Sequence, residues 1–463
     1  MSPRHRRRST WQQRLWPVLV VAVLLGFGIA SALSVSSVDS PGGPGTDGIP
    51  QTLPSGHASS KTPEAMRVPA PGAGRSPSPT RSAAPRAGCP GDSGPATLTV
   101  GNGGKYPTIG AAVEAAGAGD VIEIAGGTYH EVVDIRVNRL TLRAKAGQTV
   151  TIDGWNTLPS TGSQTRGLIT ADNRTGVTIS GLTVKNSLRH GIYAGFASNI
   201  TIRNSEIADS HDGGILIGDG SGAQLECNRI HGNNSAAGGG DIGAAENEGL
   251  TLFNYSDFTI TNNDVYDNDE EGIDVKNGTR NGTITGNDVY RNNGPNIYVD
   301  GASDVKISAN RIYDARGSSK AGIGLAVESG GSASNVQIYN NVIWGNPGGG
   351  VDFWIGRYSN VQVFYNTIYS NGRAAIRAAS GSVSDSVARD NIAYQNPLSA
   401  VSGFTLQRNV TGDPKFVDVG AGDVRLRAGS PAIDAGSNGP ATDFAGVGRP
   451  VGRGPDIGAY ESR

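Results

Sequence analysis

One phrase recurs between about residues 179 and 376 and limits what the chain can fold into. Each copy has an apolar-x-apolar stretch, a corner residue that is usually Asn, a second apolar pair, a polar stretch and Gly-apolar-x-apolar. Equivalent residues are mostly 23 to 25 positions apart, which suits three strands at about 3.3 Å per residue and three turns. Three aliphatic columns result: Ile179, Ile202, Leu225, Ile260, Ile284, Ile307, Ile338 and Val363; Val184, Ile207, Ile230, Val265, Val289, Ile312, Ile343 and Ile368; and Ile192, Ile215, Leu250, Ile273, Ile297, Ile323, Val351 and Ile376.

Strands this short cannot bury a face alone, but coils stacked at about 4.8 Å pair every backbone group with the coils above and below. The corner after the first strand carries Ser205, Asn228, Asn263, Asn287, Asn310, Asn341 and Asn366. Asn tolerates left-handed backbone and can pass amide hydrogen bonds up a stack, so we expect a ladder here. The sequence predicts an all-β fold, a right-handed parallel β-helix of about nine to ten coils, because parallel crossovers are almost always right-handed. A leucine-rich horseshoe would need recurrent Leu and a helical half-repeat, and the sequence has neither.

Both ends of the solenoid read as caps. Thr108 is placed to N-cap a short helix whose apolar residues fall at i, i+3, i+4 and i+7 and can cover the open core. Those residues are Ile109, Ala112, Val113 and Ala116. The repeat decays after about Phe404, and the segment from there to Glu461 is expected to close the other end.

The chain divides into three parts. Residues 1–35 carry an arginine-rich start and then an uncharged apolar run, Trp16 to Val35, which is either a signal peptide cleaved near Ala30-Ser31-Ala32 or a retained membrane anchor. Residues 36–88 are rich in Pro, Ser and Gly and are expected to be a disordered linker. Residues 89–463 form the folded domain. Either N-terminal alternative predicts an extracellular protein, secreted or anchored to the outer face of the cell membrane.

Composition excludes several classes of function. The formal net charge of −2 gives no electrostatic reason to expect nucleic-acid binding. The two cysteines, Cys89 and Cys227, cannot build a disulfide scaffold or a thiolate zinc site. Export permits one bridge between them, and local packing of Cys227 is the alternative. We expect a monomer.

At this point a family resemblance is evident. The phrase YPTIGAAVEAAGAGDVIEIAGGTYHE at Tyr106 to Glu131, the coils and the C-terminal phrases resemble secreted bacterial right-handed β-helix proteins of the pectate-lyase superfamily. The resemblance covers about residues 89 to 463. That superfamily holds lyases, hydrolases, epimerases, esterases and non-catalytic surface proteins, so the fold does not decide the chemistry.

The coil from Asp267 to Lys276 is unusually acidic. Its carboxylates Glu270, Glu271 and Asp274 fall within five residues, and Glu246 precedes Glu270 by 24 positions, about one coil. Stacked carboxylates repel one another unless a hard cation such as calcium binds them. The spacing is similar to the calcium site of polysaccharide lyase family nine. The resemblance implies that Glu246 is the ligand of the earlier coil, Glu270 and Glu271 the paired acids and Asp274 the fourth ligand, with Glu at three positions where the family typically has Asp.

The catalytic base of that lyase family is missing from its expected place. The family uses a Lys on a later coil, where this sequence has Gly324. Lys276 is the nearest substitute, because it lies two positions after Asp274 and projects from the same outer face. Flanking carboxylates would hold its pKa high, which opposes a role as base, so a surface salt bridge is the alternative role.

The same outer columns offer side chains suited to an extended sugar chain, by ring stacking and by pairing with hydroxyls or uronates. They are Phe253, Tyr298, Asp300, Asp352, Trp354 and Arg377. Extra residues at Ala315 to Lys320 and Glu328 to Ser334 would overhang that side. We therefore expect the partner to be a polysaccharide bound in a lateral groove, and a uronate-containing chain is favoured.

Two classes of function stay open. The first is a calcium-assisted uronan lyase or epimerase, with β-elimination favoured over glycoside hydrolysis. The second is a non-catalytic cell-surface or wall-binding module, which the missing family Lys favours. The N-terminal segment, if uncleaved, makes the membrane a further partner.

Overall fold

The computed structural model describes residues 89–159, 166–234, 248–398 and 402–462. The predicted leader, the predicted linker and Glu246 lie outside these ranges. Within them, no helix has the length and apolar character needed to cross a membrane.

The described elements are one helix and 38 strands, nearly all of three to seven residues. The N-terminal elements are β1 (Leu98–Val100), α1 (Ile109–Ala115), β2 (Val121–Ile124), β3 (Gly127–Tyr129), β4 (Val133–Asp134), β5 (Thr141–Ala144), β6 (Val150–Asp153), β7 (Gly167–Thr170), β8 (Thr178–Ser180), β9 (Leu182–Lys185), β10 (His190–Gly195), β11 (Thr201–Arg203), β12 (Glu206–Ala208), β13 (Ile215–Ser221), β14 (Gln224–Glu226) and β15 (Arg229–His231). The central elements are β16 (Leu250–Thr261), β17 (Asp264–Tyr266), β18 (Ile273–Lys276), β19 (Arg280–Thr285), β20 (Asp288–Tyr290), β21 (Ile297–Asp300), β22 (Ser303–Ser308), β23 (Arg311–Tyr313), β24 (Ile323–Ala326), β25 (Ser332–Ser334), β26 (Val336–Tyr339), β27 (Val342–Trp344), β28 (Val351–Phe353) and β29 (Arg357–Ser359). The C-terminal elements are β30 (Gln362–Phe364), β31 (Thr367–Tyr369), β32 (Ile376–Ala378), β33 (Ser382–Ser384), β34 (Ser386–Arg389), β35 (Ile392–Tyr394), β36 (Phe404–Gln407), β37 (Phe416–Asp418) and β38 (Asp423–Leu426).

The strands stack in parallel on three faces. Face 1 contains β10, β13, the first part of β16, β18, β21, β24, β28 and β32; face 2 contains β8, β11, β14, the second part of β16, β19, β22, β26, β30 and β34; face 3 is the 11-stranded sheet from β3 to β35. The long strand β16 runs through both of the first two faces, which joins them into one 22-stranded sheet. All-parallel stacking with a buried aliphatic interior confirms the predicted fold class.

All three predicted aliphatic columns are confirmed residue by residue. Ile273, for example, pairs with Leu250 on one side and Ile297 on the other, and all three are fully buried. The solenoid has about twelve turns rather than nine to ten. The additional turns lie at its ends, where strands such as β2 and β36 depart from the spacing of the central repeat.

The predicted Asn ladder forms, with one correction. Asn310 donates its amide to Ile284 O at 2.9 Å and to Asn341 Oδ1 at 3.0 Å, and the same pattern runs through the stack. The left-handed backbone, however, belongs to the residue before each ladder position, for example Ala309 with φ 52° and Asn340 with φ 54°. The ladder Asn turns its side chain inward under the next coil, so the preceding residue makes the tight bend.

A second ladder, which the repeat analysis missed, lies at the corner after face 3. It consists of Asn233, Asn268, Asn292, Asn296, Asn346, Asn371 and Asn396. The coil at Ala315 has no Asn at this corner. Asn296 fills the place, because it accepts from Asn292 and donates to Asn346 at 2.9 Å.

Both caps are present. Thr108 N-caps α1 by accepting from Ala111 N at 3.1 Å, and the predicted inner residues Ile109, Ala112 and Val113 are buried. The fourth predicted residue, Ala116, is the C-cap of α1 and is only partly buried. The C-terminal segment packs on aromatic side chains of face 3, including Tyr369 and Trp344. Cys89 and Cys227 form a disulfide, which decides the alternative that the sequence left open.

Candidate functional site

The acidic coil places its side chains on the outside of face 1. Asp274 pairs in register with Thr251 and Tyr298, and Lys276 pairs with Phe253 and Asp300. Alternate residues of a strand point to the same side, so these two columns run next to each other on the outer surface.

Lys276 lies in a buried ion network. Its Nζ is 2.7 Å from Glu248 Oε1 and 3.2 Å from Asp274 Oδ2. The other carboxylate oxygen of Glu248 accepts a hydrogen bond from the Thr251 hydroxyl. Asp274 is 1% exposed, and its Oδ1 is buried without a hydrogen-bond partner. The network thus holds one ammonium tightly and leaves one carboxylate oxygen unsatisfied.

Glu248 is the acid of the preceding coil that the sequence analysis missed. It stands 23 positions before Glu271, the usual coil step, and the two residues are stacked, because Gly214 N donates to Glu248 O and Gly249 N donates to Glu271 O. The predicted ligand Glu246 lies outside the described residues. Aligning coils on Glu271 instead of Glu270 would have found Glu248.

The pKa values of four carboxyl groups in the cluster, those of Glu270, Glu271, Asp274 and Asp300, are raised, mainly because the groups are buried. Burial, followed by the charges of Glu248 and Glu270, raises the pKa of Glu271 to about 8. Burial and the Glu328 charge raise the pKa of Asp300 to about 6, although a backbone N–H opposes this. The pKa of Asp274 is also raised, mainly by burial. Burial of its carboxyl group therefore favours the protonated form of Glu271 at neutral pH, while the residue as a whole is partly exposed.

The Lys276 ammonium stays charged. Burial opposes the charge, but Glu248 and Asp274 outweigh it and raise the pKa of Lys276 well above its ordinary value. A general base must give up its proton near the working pH. The geometry therefore suits Lys276 to neutralising and positioning neighbouring groups, and its predicted role as base is untested.

An aromatic wall flanks the acidic cluster. The ring of Tyr298 lies 5.5 Å from that of Trp354, and its hydroxyl donates to Glu328 Oε1 at 2.6 Å. Lys320 Nζ is 5.6 Å from the Trp354 ring centroid. Both predicted overhanging segments thus contribute a side chain, Lys320 and Glu328, to this side.

Gly324, where the family base would lie, is closed by these rings. A Cβ there would meet Trp354 Cζ3 at 2.8 Å and Tyr298 Cδ2 at 3.0 Å. No side chain fits at this position unless the rings move. The packing of Trp354 and Tyr298 therefore leaves no room for a lysine side chain at position 324.

The remaining predicted binding residues are less available to a ligand, because they are paired with or packed against other side chains. Arg377 forms an ion pair with the fully buried carboxylate of Asp352, which raises the pKa of Arg377 through their hydrogen bond. Phe253 is partly buried next to Lys276 in the stack. Arg377 is therefore committed to Asp352, whereas Trp354, Tyr298 and Lys320 line the acidic cluster.

The predicted calcium site is described only in part, because Glu246 lies outside the described residues. Across the described ranges, no three His, Cys, Asp or Glu side chains form a group that could hold a metal ion. The cation next to Asp274 is the Lys276 ammonium. Calcium binding stays a prediction that involves Glu246.

Comparison with known proteins identifies the architecture. A family model described as "Right handed beta helix region" matches residues 167–323 and 244–358. This region is a right-handed β-helix. The predicted handedness and the predicted resemblance in fold are thereby confirmed. The uncharacterized protein YwoF of Bacillus subtilis (strain 168) is 29% identical over 368 residues, which are 70% of this chain and 72% of that protein.

Solved β-helix structures are similar at low identity. Pectate lyase Pel9A has a TM-score of 0.46 and 16% identity, covering 76% of this chain and 90% of that one. The A-module of Azotobacter vinelandii mannuronan C-5 epimerase AlgE4 has a TM-score of 0.42 and 17% identity, covering 66% and 95%. XylC in complex with xylose has a TM-score of 0.47 and 12% identity, covering 79% and 98%. Chemistry cannot be transferred to this β-helix at such distances.

Proposed function

We propose that this β-helix binds a polysaccharide along face 1 and cleaves it, with Glu271 as the general acid. One observation carries the proposal: Glu271 is a partly exposed residue whose carboxyl pKa is raised to about 8, in a cluster flanked by an aromatic wall that can hold sugar rings. Such a group is protonated at neutral pH and can donate that proton to a leaving oxygen.

The proton step is common to both ways of breaking a glycosidic bond. In hydrolysis the bond between the anomeric carbon and the bridging oxygen breaks as the Glu271 carboxyl proton moves to that oxygen, so one sugar leaves as an alcohol, while water loses a proton to a base and bonds to the anomeric carbon. In β-elimination the bond between C4 and the bridging oxygen breaks in the same way, while a base removes the C5 proton and a double bond forms between C4 and C5. Glu271 is left as a carboxylate, which the charges of Lys320 and Lys276 stabilise. The buried ion network of Glu248, Asp274 and Lys276 keeps Glu271 in place and maintains the excess of negative charge that holds its proton.

The charge of the cluster favours a neutral glycan and hydrolysis over uronan β-elimination. The acidic side chains of the cluster outnumber its two ammonium groups, Lys276 and Lys320, so a polyuronate is repelled. Hydrolysis also needs one protonated and one ionised carboxyl group. Asp300, whose pKa is raised only to about 6, is ionised at neutral pH and is our candidate for activating water. In the uronan lyase or epimerase alternative, calcium would have to bring the substrate carboxylate to this site.

A specific observation favours the non-catalytic alternative. Asp274 and Lys276 are 1% and 7% exposed, so most of the ion network cannot touch a substrate. In that case face 1 binds a wall or surface polysaccharide through Trp354 and Lys320 without turnover. Export, which either function requires, is part of this proposal and rests on residues 1–35.

The test is a product assay on the full chain with neutral polysaccharides and uronans. We expect new reducing ends from a neutral glycan, lost in Glu271→Gln and retained in Glu114→Gln, whose side chain is 58% exposed in a surface ion pair. Unsaturated uronate products, detected by ultraviolet absorbance, would contradict hydrolysis and support the lyase alternative. Binding without any product would leave the non-catalytic module.

A further inference from the structure

A cleft separates face 2 from the C-terminal cap, away from the acidic cluster. Its volume is about 510 Å³. Its floor is formed by the five neighbouring strands β19, β22, β26, β30 and β34, and its roof is the segment 438–443. The lining side chains on the floor are Thr285, Ser308, Gln337, Tyr339, Phe364 and Arg389.

The cleft exists because one outer column changes from large to small side chains. Arg389, Phe364 and Tyr339 stack in register: the guanidinium is 4.8 Å from the Phe364 ring, and the two rings are 5.0 Å apart at 22°. The next positions are Ser308 and Thr285. Ser308 is too small to cover the second face of the Tyr339 ring, so that face borders the cleft.

The roof is held by specific contacts. Asn340 Nδ2 donates to Thr442 O at 2.8 Å, and the Tyr365 hydroxyl donates to Ser437 O. Gly439 lies against the Tyr365 ring so closely that a Cβ would approach Cε2 to 2.5 Å. The position of the roof over the floor of the cleft is therefore fixed by hydrogen bonds and by close packing.

The charges that line the cleft are already paired. The Arg389 guanidinium donates to Asp390 Oδ2 at 2.7 Å. The Asp443 carboxylate accepts from the backbone N–H groups of Ala445, Val447 and Glu461. What remains is an aromatic face, the amide of Gln337 and the hydroxyls of Thr285 and Ser308, which lie 3.1 Å apart. A ligand that fits has an apolar ring face and neutral hydroxyl groups.

We propose that this cleft binds a neutral sugar ring stacked on Tyr339, as a second glycan site separate from face 1. One face of the sugar lies on the Tyr339 ring and its hydroxyls meet Ser308, Thr285 and Gln337. A volume of about 510 Å³ holds one or two sugar units. The inference is independent of catalysis at Glu271, since the two sites are on different faces.

The test is saturation-transfer NMR and calorimetry on the full chain with cellobiose, xylobiose and mannobiose. Tyr339→Ala should weaken binding by about tenfold or more, and Tyr339→Phe, which keeps the ring, should bind like wild type. Ser308→Tyr should abolish binding by extending the aromatic stack into the cleft. This variant keeps the proposal testable if Tyr339→Ala fails to fold.

Trp354→Ala serves as the control for face 1, because it removes the aromatic ring that lies against Tyr298 and Lys320 there. Binding that survives Trp354→Ala and is lost in Ser308→Tyr supports the cleft as the site. Binding that survives Ser308→Tyr, or no binding of any of the three disaccharides, overturns the proposal. A failure here leaves the function of face 1 unaffected, because the product assay on Glu271 measures a different surface.

Discussion

The ammonium of Lys276 lies 2.7 Å from Glu248 Oε1, and the two side chains are 9% and 4% exposed. The residues are 28 positions apart and belong to consecutive coils. Their pairing converts what the sequence presents as an acidic surface into a largely buried ion network. Its energetic and electrostatic consequences can be measured separately.

Removal of Glu248 should destabilise the protein strongly. Glu248→Gln leaves a buried ammonium with only Asp274 as its counter-charge, and breaking a buried pair costs about 3 kcal/mol. Urea unfolding measures the change in the free energy of unfolding. Glu114→Gln, which breaks the exposed 2.7 Å pair with Arg136, is the matched control and should change it by less than about 1 kcal/mol. Equal effects of the two variants would contradict the role of burial.

Stability should fall as pH rises through neutrality. The folded-state pKa of Glu271 is raised from 4.5 to about 8, so the folded protein binds more protons than the unfolded chain between those values. The contribution of Glu271 to the free energy of unfolding is fully present below about pH 4.5. It is lost as pH rises through 8, at up to about 1 kcal/mol per pH unit. Urea unfolding across this range tests the slope, which Glu271→Gln should flatten. An unchanged slope in that variant would show that Glu271 does not hold the proton.

Calcium should stabilise a variant that lacks the resident ammonium. Lys276→Met leaves Glu248 and Asp274 without a counter-charge, and carboxylates in that state take up protons or a hard cation. We expect calcium to raise the Tm of Lys276→Met and to leave that of the wild type unchanged. If calcium stabilises the wild type and Glu246→Gln removes the effect, the predicted four-carboxylate site is present after all.

Hydrogen bonds of the interior Asn ladder should contribute more to the stability of the fold than those of exposed Asn pairs. Asn310 donates to Ile284 and Asn341 and accepts from the backbone and the amide of Asn287. Asn310→Ala leaves these groups without hydrogen-bond partners inside the stack, which should lower the free energy of unfolding by about 1 to 3 kcal/mol for each group. Hydrogen exchange of the neighbouring coils should accelerate. Asn360→Ala, which removes an exposed bond to Asn335, should change little, and comparable effects would argue against the ladder.

The repeat alone determined the fold. Ile273, Leu250 and Ile297 stack because a period of about 24 residues leaves short apolar strands no other way to bury a face and to pair their backbones. The Asn corner followed from the same period. The disulfide between Cys89 and Cys227 did not, since two cysteines separated by 138 positions have no period to place them.

The tertiary structure decided the chemistry of the site. From the sequence, Lys276 is a surface cation near acids and Arg377 is available to a uronate. In the fold, Lys276 is buried between Glu248 and Asp274, and Arg377 is bound to Asp352. A pKa depends on burial and on charges within a few ångströms, and these distances are set by which coil lies above which. Periodicity predicts the register of the strands, whereas the protonation of Glu271 follows only from the three-dimensional arrangement of the groups around it.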